Sequence, residues 1–406
     1  MQLYAGLPII TNKITVEEQQ SVPHHLLGCI GLNEHTWVVG TFVKKALEVI
    51  DEIRSRGKLP ILVGGTHYYT QSLLFQNRLA EDKEAPANAD FVPDTKEKWP
   101  VLQQPTEVLI DELQKVDPVM ADRWHPNDRR KIQRSLEIYL QTGKKASEIY
   151  VAQRNRKDNN FNTYGEHHHT DSGTSLRFPS LLFWVHCNND ELRDRIDARV
   201  ERMFEQGLLS EVQELNAFAR TEAAAGRPVD ETRGIWVSIG HKEFKTYVQA
   251  LEGGDASSER LEKFKEEALE RTKIATRQYS KRQLRWIRIK LVNALSEADA
   301  SQSLYLLGGT NAASFKQNVV DPAIDLTHKY LSGSSMPEPT SMNELAVELL
   351  VAKRDYDLSA SPHKWARQHC ELCNVTCVTE EQWAMHIKSK AHRKLASKSR
   401  NVALQD

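Results

Sequence analysis

Apolar residues Phe42, Ala46, Leu47, Ile50 and Ile53 return at helical spacing, which predicts a helix from Thr41 or Phe42 to Arg56 with Gly57 as its stop. Ile61, Leu62 and Val63 then form a short apolar run without alternation, the mark of a parallel strand covered on both faces. The run stops at Gly64 and Gly65, where no Cβ blocks the approach of backbone to a ligand, and Thr66 is placed to cap a helix over 68–75. In an open α/β sheet such a strand end faces the ligand crevice. A tight turn with no ligand is the competing reading of two glycines. After Phe75 the text is polar and proline-bearing through Pro105, as expected of a loop or a variable excursion.

A helical section follows. Asn127 is the expected N-cap, Ile132, Leu136 and Leu140 mark one face, and Gly143 lies beyond the end. Arg129, Arg130 and Lys131 in the first turn oppose the helix dipole, so an anion is expected nearby, with an exposed solvated face as the alternative. Residues 155–175 are polar, His-rich and Gly-bearing, the composition of a mobile insert; His167, His168 and His169 lack a cysteine or carboxylate framework for metal. Leu181 to Val185 predicts a second buried strand. Asn189 then caps a helix to Gln206, with Leu192, Ile196, Val200 and Met203 inward and Arg193, Arg195, Arg199 and Arg202 outward. Gly234 and Gly240 bracket a mostly apolar run, read as a buried loop or a helix start near a ligand. From about Leu261 a helix places Arg277, Lys281, Arg285 and Arg288 on one stripe, adjoined by Lys273 and Arg282, a pattern suited to phosphates. Beyond Ile289 the text turns linker-like through Ser341, with room for a helix and a strand between Leu291 and Gly308.

Composition narrows the classes. A chain of 406 residues with 40% hydrophobic content can bury a large core in two or three domains. With a net charge of -1, a nucleic-acid partner must be held by local basic faces. No apolar run has the length of a membrane span, and the first residues lack signal-peptide order. Cys29 and Cys187 stand alone while Cys370, Cys373 and Cys377 crowd together, which suits a metal site in a reducing compartment better than disulfides. Cys370-x2-Cys373-x12-His386-x5-His392 matches two-thiolate, two-imidazole zinc ligation, with Cys377 outside the spacing as a core thiol. Lys388, Lys390, Arg393, Lys394, Lys398 and Arg400 surround the second histidine. A lone finger lacks the tandem array of DNA readers, so RNA is the favoured partner and a protein contact the alternative.

Taken in order, several segments resemble the tRNA dimethylallyltransferases, also called tRNA isopentenyltransferases, in their eukaryotic form with a matrin-type zinc finger. They are Met1-Gln2-Leu3-Tyr4 with Gly6 to Lys13, the Gly64-Gly65-Thr66 turn, His125 to Arg130, Ser238 to Phe244, Thr276 to Gln283, and the finger. The resemblance implies a P-loop-kinase-like α/β core with a parallel sheet over 1–100 and 176–345, a helical insertion over 101–175, and a zinc-finger region over 346–406 with the finger itself at 368–394. It implies a channel, lined here by Gly64 and Gly65, in which N6 of the adenosine 3′ of the anticodon attacks dimethylallyl diphosphate and magnesium diphosphate leaves. It assigns tRNA contacts to Gln2, to Thr66, to Arg130, Lys131, Ile132, Gln133 and Arg134, and to Val237, Ser238, Ile239, Gly240, His241 and Lys242. Arg277, Lys281 and Arg285 are added on physical grounds. Zn2+ is the expected structural metal, Mg2+ accompanies the diphosphate, and the partners are a tRNA anticodon stem-loop and dimethylallyl diphosphate. The resemblance also implies a monomeric, cytoplasmic protein with mitochondrial and nuclear pools.

The departure from the family pattern is at the start. The Gly-rich phosphate loop and the first strand of the sheet precede the point at which this sequence begins, and the general-base aspartate falls two positions before Met1. An N-terminally truncated chain with little or no turnover is therefore the expectation, and a noncatalytic tRNA-binding short form the alternative. Nucleoside-kinase-like phosphoryl transfer shares the sheet but gives no reason for the finger or the basic helices.

Overall fold

A computed structural model describes residues 1–34, 36–76, 99–158, 175–254, 256–352 and 365–402. In chain order the helices are α1 (Val39–Ser55), α2 (His67–Leu74), α3 (Thr106–Val116), α4 (Pro118–Arg123), α5 (Arg129–Thr142) and α6 (Ala146–Asp158). Strand β1 (Leu182–His186) leads into α7 (Asn189–Glu205), α8 (Leu208–Ala224), α9 (His241–Gly253), the long α10 (Ser258–Trp286) and α11 (Val292–Glu297). Then come β2 (Leu304–Gly308), α12 (Asp321–Ser332), α13 (Glu344–Leu349), β3 (Trp365–Cys370), β4 (Val375–Thr379), α14 (Glu380–Lys388) and α15 (Lys390–Val402). Among the described residues no helix is long and apolar enough to cross a membrane.

The chain divides into two compact units. The first comprises Met1–Gln76 and Leu176–Lys353, the second Asn77–Ser175 and Arg354–Asp406. The finger is thus grouped with the helical insertion, an association that spacing along the chain does not reveal. The histidine tract at 167–169 lies outside the described residues, as does most of the excursion after Phe75.

In the first unit β1 and β2 pair in parallel, Leu182 opposite Leu304 and His186 opposite Gly308. Leu304, Tyr305, Leu306 and Leu307 are all buried. The helix and strand for which the sequence leaves room between Leu291 and Gly308 are α11 and β2, and the strand forms because four consecutive large apolar side chains find cover on both faces. Tyr4 and Ile30 form a further parallel bridge. The α/β expectation with parallel strands is met, but the strand expected at 61–63 is not formed. Ile61, Leu62 and Val63 are 76%, 48% and 84% exposed and belong to no ladder. An apolar run becomes a strand only when neighbours accept its backbone hydrogen bonds, and among the described residues none pairs with it.

Two apolar clusters fill this unit. One joins Tyr4, Leu7 and Ile10 of the first segment to Leu208, Val212, Phe244 and Val248 of the helices. The other sets Phe75, Trp184, Leu295 and Leu306 together under α13. In the second unit, α3, α4 and α5 enclose Leu102, Leu113, Met120, Ile132 and Leu136. Gly143 ends α5 in the left-handed conformation at φ 68°, as expected of a glycine after a helix. The N-cap is Asp128 and not Asn127, since the Asp128 carboxylate takes the Lys131 amide.

Candidate nucleic-acid interface and metal centre

Within the finger, β3 and β4 form an antiparallel hairpin and α14 starts on Thr379, whose hydroxyl accepts from the Gln382 amide. Cys370 ends β3 and Cys373 lies in the hairpin turn, while α14 and α15 carry His386 and His392. One ligand atom from each of the four lies within 4.8 Å of every other. The Nδ1 of His392 is 3.6 Å from Cys370 Sγ and 3.4 Å from Cys373 Sγ. Tetrahedral zinc bonds of ordinary length set sulfur and nitrogen about 3.6 Å apart. Among the described residues His386 Nε2 is buried with no hydrogen-bond partner, the state of an imidazole nitrogen that faces a metal. The donor set fits zinc. Cys377 is buried on β4 outside the four, and desolvation pushes its thiol up.

The first segment is an irregular loop held from below. Both oxygens of the buried Glu211 carboxylate accept backbone amides, Ile9 at 2.9 Å and Ile10 at 2.7 Å. Lys13 Nζ donates to the carbonyls of Tyr4 and Gly6 at 2.6 and 2.7 Å. Gln2 is exposed, and its Nε2 donates to Asn12 O. Sequence reasoning did not single out Glu211. Its signal is an acid on the apolar stripe of α8, among Leu208, Val212 and Leu215.

The run bracketed by glycines is a buried turn leading into α9. Gly234 has φ +62°, and a Cβ there would collide with the Tyr4 hydroxyl and with Thr36 Oγ1, which hydrogen-bond to each other at 2.9 Å. Glycine is required on both counts. Gly240, at φ +109°, donates its amide to Glu243 Oε2 at 2.8 Å. Of the six residues expected to touch tRNA here, Val237 and Lys242 are exposed and Ile239 is half-buried, whereas Ser238, Gly240 and His241 are buried. His241 Nδ1 is 3.1 Å from Trp236 O, and Nε2 is 3.1 Å from Asn216 Oδ1. Burial holds this imidazole below its ordinary value, so it is neutral and donates through Nδ1. Its Nε2 then accepts, which requires Asn216 to turn its NH2 toward the ring. Among the described residues Ser238 Oγ is buried without a partner.

At the paired-glycine turn, Gly64 and Thr66 are exposed, and Gly65 O accepts from Gln283 Nε2 of α10 at 2.7 Å. A Cβ on Gly65 would lie 2.6 Å from that nitrogen, so the close approach serves a helix side chain. Thr66 occupies the N-cap position of α2 without a side-chain cap bond.

Along the insertion helix α5, Arg130 and Lys131 are exposed, Lys131 pairing with Asp128 at 2.8 Å. Arg129 instead reaches Gln104 O at 2.6 Å and Leu102 O at 2.9 Å, so carbonyls supply part of the compensation expected from an anion. Ile132 is fully buried core. Gln133 and Arg134 both turn to Glu137, at 2.9 and 3.5 Å.

On α10 the expected basic stripe divides. Arg277 is an ion-pair residue, with Nε 3.1 Å from Asp197 and Nη2 2.8 Å from Glu270. Lys273 pairs with Glu201 at 2.7 Å, and Arg288 with Glu348 at 3.3 Å. Lys281 and Arg285 stay exposed and form no ion pair among the described residues. On α7 the arginines are not uniformly outward either. Arg195 bonds Gly309 O and Thr310 O, and Arg199 is half-buried beside Arg202, its Nε unpartnered among the described residues.

Comparison with known proteins places this geometry. A family model described as IPP transferase matches residues 2–290, and one described as zinc-finger double-stranded RNA-binding matches 370–393. A tRNA dimethylallyltransferase of Schizosaccharomyces pombe is 36% identical over 97% of this chain and 86% of its own length. The Homo sapiens tRNA dimethylallyltransferase is 29% identical over 99% of this chain and 80% of its own. A crystal structure of a eukaryotic dimethylallyltransferase acting on tRNA aligns with a TM-score of 0.72 and 29% identity, covering 99% of this chain and 90% of that one. With a family model spanning most of its length and relatives matching nearly end to end, this chain belongs to the IPP transferase family, the family of the eukaryotic tRNA dimethylallyltransferases.

Proposed function

We propose that this chain acts in the transfer of a dimethylallyl group from dimethylallyl diphosphate to N6 of the adenosine on the 3′ side of a tRNA anticodon, and that its exposed basic positions hold the RNA. The observation that supports this most is the likeness in fold to a eukaryotic dimethylallyltransferase acting on tRNA over 99% of the chain. In the reaction the adenine N6 lone pair attacks the allylic carbon, the carbon–oxygen bond to diphosphate breaks, and magnesium diphosphate departs while N6 gives its proton to a base. Extruding the adenosine costs a few kcal/mol in a duplex and less in an unpaired loop, which makes an anticodon loop an economical target. Exposed cations at Arg130, Lys131, Lys242, Lys281 and Arg285 attract the RNA backbone, and zinc on Cys370, Cys373, His386 and His392 holds the basic finger in shape.

Filter binding of an anticodon stem-loop, run beside label transfer from dimethylallyl diphosphate, tests the reading. The chain is expected to retain the hairpin, and any label that is transferred is expected at N6 of the adenosine on the 3′ side of the anticodon; absence of hairpin binding, or label on another base, refutes the reading.

A further inference from the structure

Between α1 and α2 the chain runs from Lys58 to Gly64 without helix, turn or bend. Leu59, Ile61, Leu62 and Val63 are all exposed there, and nowhere else among the described residues do three consecutive large apolar side chains lie open. The backbone is equally open. Among the described residues, Leu59, Ile61, Leu62, Val63 and Gly64 neither donate nor accept a hydrogen bond through the main chain. The open stretch has fixed ends. Gly57 gives its amide to Arg54 O and Lys58 gives its own to Ile53 O, while Gly65 O already accepts from His67 and from Gln283 Nε2.

These ends, with Pro60 between them, select one way of pairing the stretch with itself. In an antiparallel ladder, opposite residues alternate between pairs that exchange both hydrogen bonds and pairs whose amides point away. Proline has no amide to give, so Pro60 must stand in a pair of the second kind. A two-fold axis at Ile61 meets that condition. Ile61 then faces Ile61 of the second copy and Leu59 faces Val63, all in bonding pairs, while Pro60 faces Leu62 with nothing lost. An axis at Pro60 would call on Gly57, whose amide is already given, and an axis at Leu62 would call on Gly65, whose carbonyl is already taken. Leu59, Ile61 and Val63 fall on one face of such a ladder, where aliphatic and β-branched side chains pack well across strands. Edges that stay single are commonly guarded by charge. No charged residue stands between Lys58 and His67, so the stretch does not repel its own copy.

We infer that residues 58–64 form an interface with a second copy of this chain, an antiparallel two-stranded ladder about a two-fold axis at Ile61. The contact is isologous, the commonest closed arrangement of identical subunits. Strand addition draws its affinity from main-chain bonds and from the side chains it covers, and a ladder this short gives a dimer in the micromolar range, not a permanent one.

The test is sedimentation velocity on the full chain across a concentration series, expected to pass from monomer to dimer. Ile61→Lys sets two like charges face to face at the axis and is expected to weaken the dimer roughly 30-fold or more, the loss of a central hot spot. Val63→Pro removes an amide aimed at the second copy and is expected to weaken it as well, whereas Leu62→Pro removes one aimed away and spares it. Urea midpoints read below the dimerisation range are expected to match the unmodified chain, because all three side chains are exposed and their amides are free. Ile61→Cys is expected to form a disulfide-linked dimer in oxidised glutathione beyond the background of the unmodified chain, since bonding pairs stand about 5.5 Å apart at Cα; Leu62→Cys, which faces Pro60, is not. A chain that stays monomeric throughout shows that no second copy covers the stretch and overturns the inference. An Ile61→Lys dimer as tight as the unmodified one, equal loss from both proline variants, or growth past the dimer into larger assemblies overturns it too. None of these measurements involves RNA, so the proposed function stands or falls separately.

Discussion

At the scale of single residues, side chains expected to touch RNA turn out to be holding protein. His241 is the sharpest case. Desolvation depresses its basicity, so its neutral form is favoured in the folded state and the unfolded chain takes up a proton first. Stability from this residue is therefore complete above its ordinary value near 6.5 and is lost as pH falls through that value toward the depressed one. Glu231, Lys245 and Glu243 face the same ring, and His67 and His186 are shifted in the same direction by burial. The informative quantity is thus the difference between the unmodified chain and H241N. Urea denaturation followed from about pH 7.5 to 5.5 should show a shallower decline in the variant. Parallel curves would mean that the ring is protonated in the native state. Glu211 makes the complementary point, for a single buried carboxylate on α8 fixes the backbone of a loop some two hundred positions earlier.

At the scale of elements, α10 divides its cations by face. Arg277, only 19% exposed on its side chain, leaves Asp197 uncompensated when removed, so Arg277→Ala should cost about 1–2 kcal/mol of stability. Lys281→Ala should leave stability within error and weaken RNA binding instead. Chemical denaturation with hairpin titration of both variants separates the two roles; equal stability of both would place Arg277 among the solvated cations. Which face is which was not legible from the chain alone. The helical spacing of positive residues is visible in the text, but Glu201 and Asp197, which claim Lys273 and Arg277 from across the fold, lie on α7, more than seventy positions away. The zinc ligands are the opposite case, because four donors close together in sequence specify their own geometry. Strand behaviour divides on the same principle. Leu182 to Val185 became β1 because β2 meets it, whereas Ile61 to Val63 carries an equally apolar pattern with no ladder to join.

At the scale of the molecule, the parallel α/β part, the helical insertion and the terminal finger were all readable, and the partition was not. Spacing along the chain suggests a finger standing apart, yet it shares a compact unit with the insertion, β3 packing beside α4. Metal removal should therefore spread. Structural zinc contributes on the order of 10 kcal/mol to a finger's folding, so chelation is expected to release the amides of β3, β4 and α14 to hydrogen exchange. Exchange should also quicken in α4, and remain slow in β1 and β2. Loss of protection confined to 365–392 would show that the insertion stands without the finger.

Residues Ile287–Leu291 continue α10 as a π turn, and Gln71 clasps it from both ends, accepting from Trp286 Nε1 at 3.2 Å and donating to Lys290 O at 3.3 Å. A π turn inserts one residue, which swings everything after it by about 100°. Without that swing the solvent-facing line through Gln278, Lys281 and Arg285 would run on to Val292, which is instead 4% exposed and packed near Leu304. One continuous rod thus turns its wet side away before it enters the core, like a key whose bit is cut at an angle to its bow. Gln71 is the ward that keeps the cut in register.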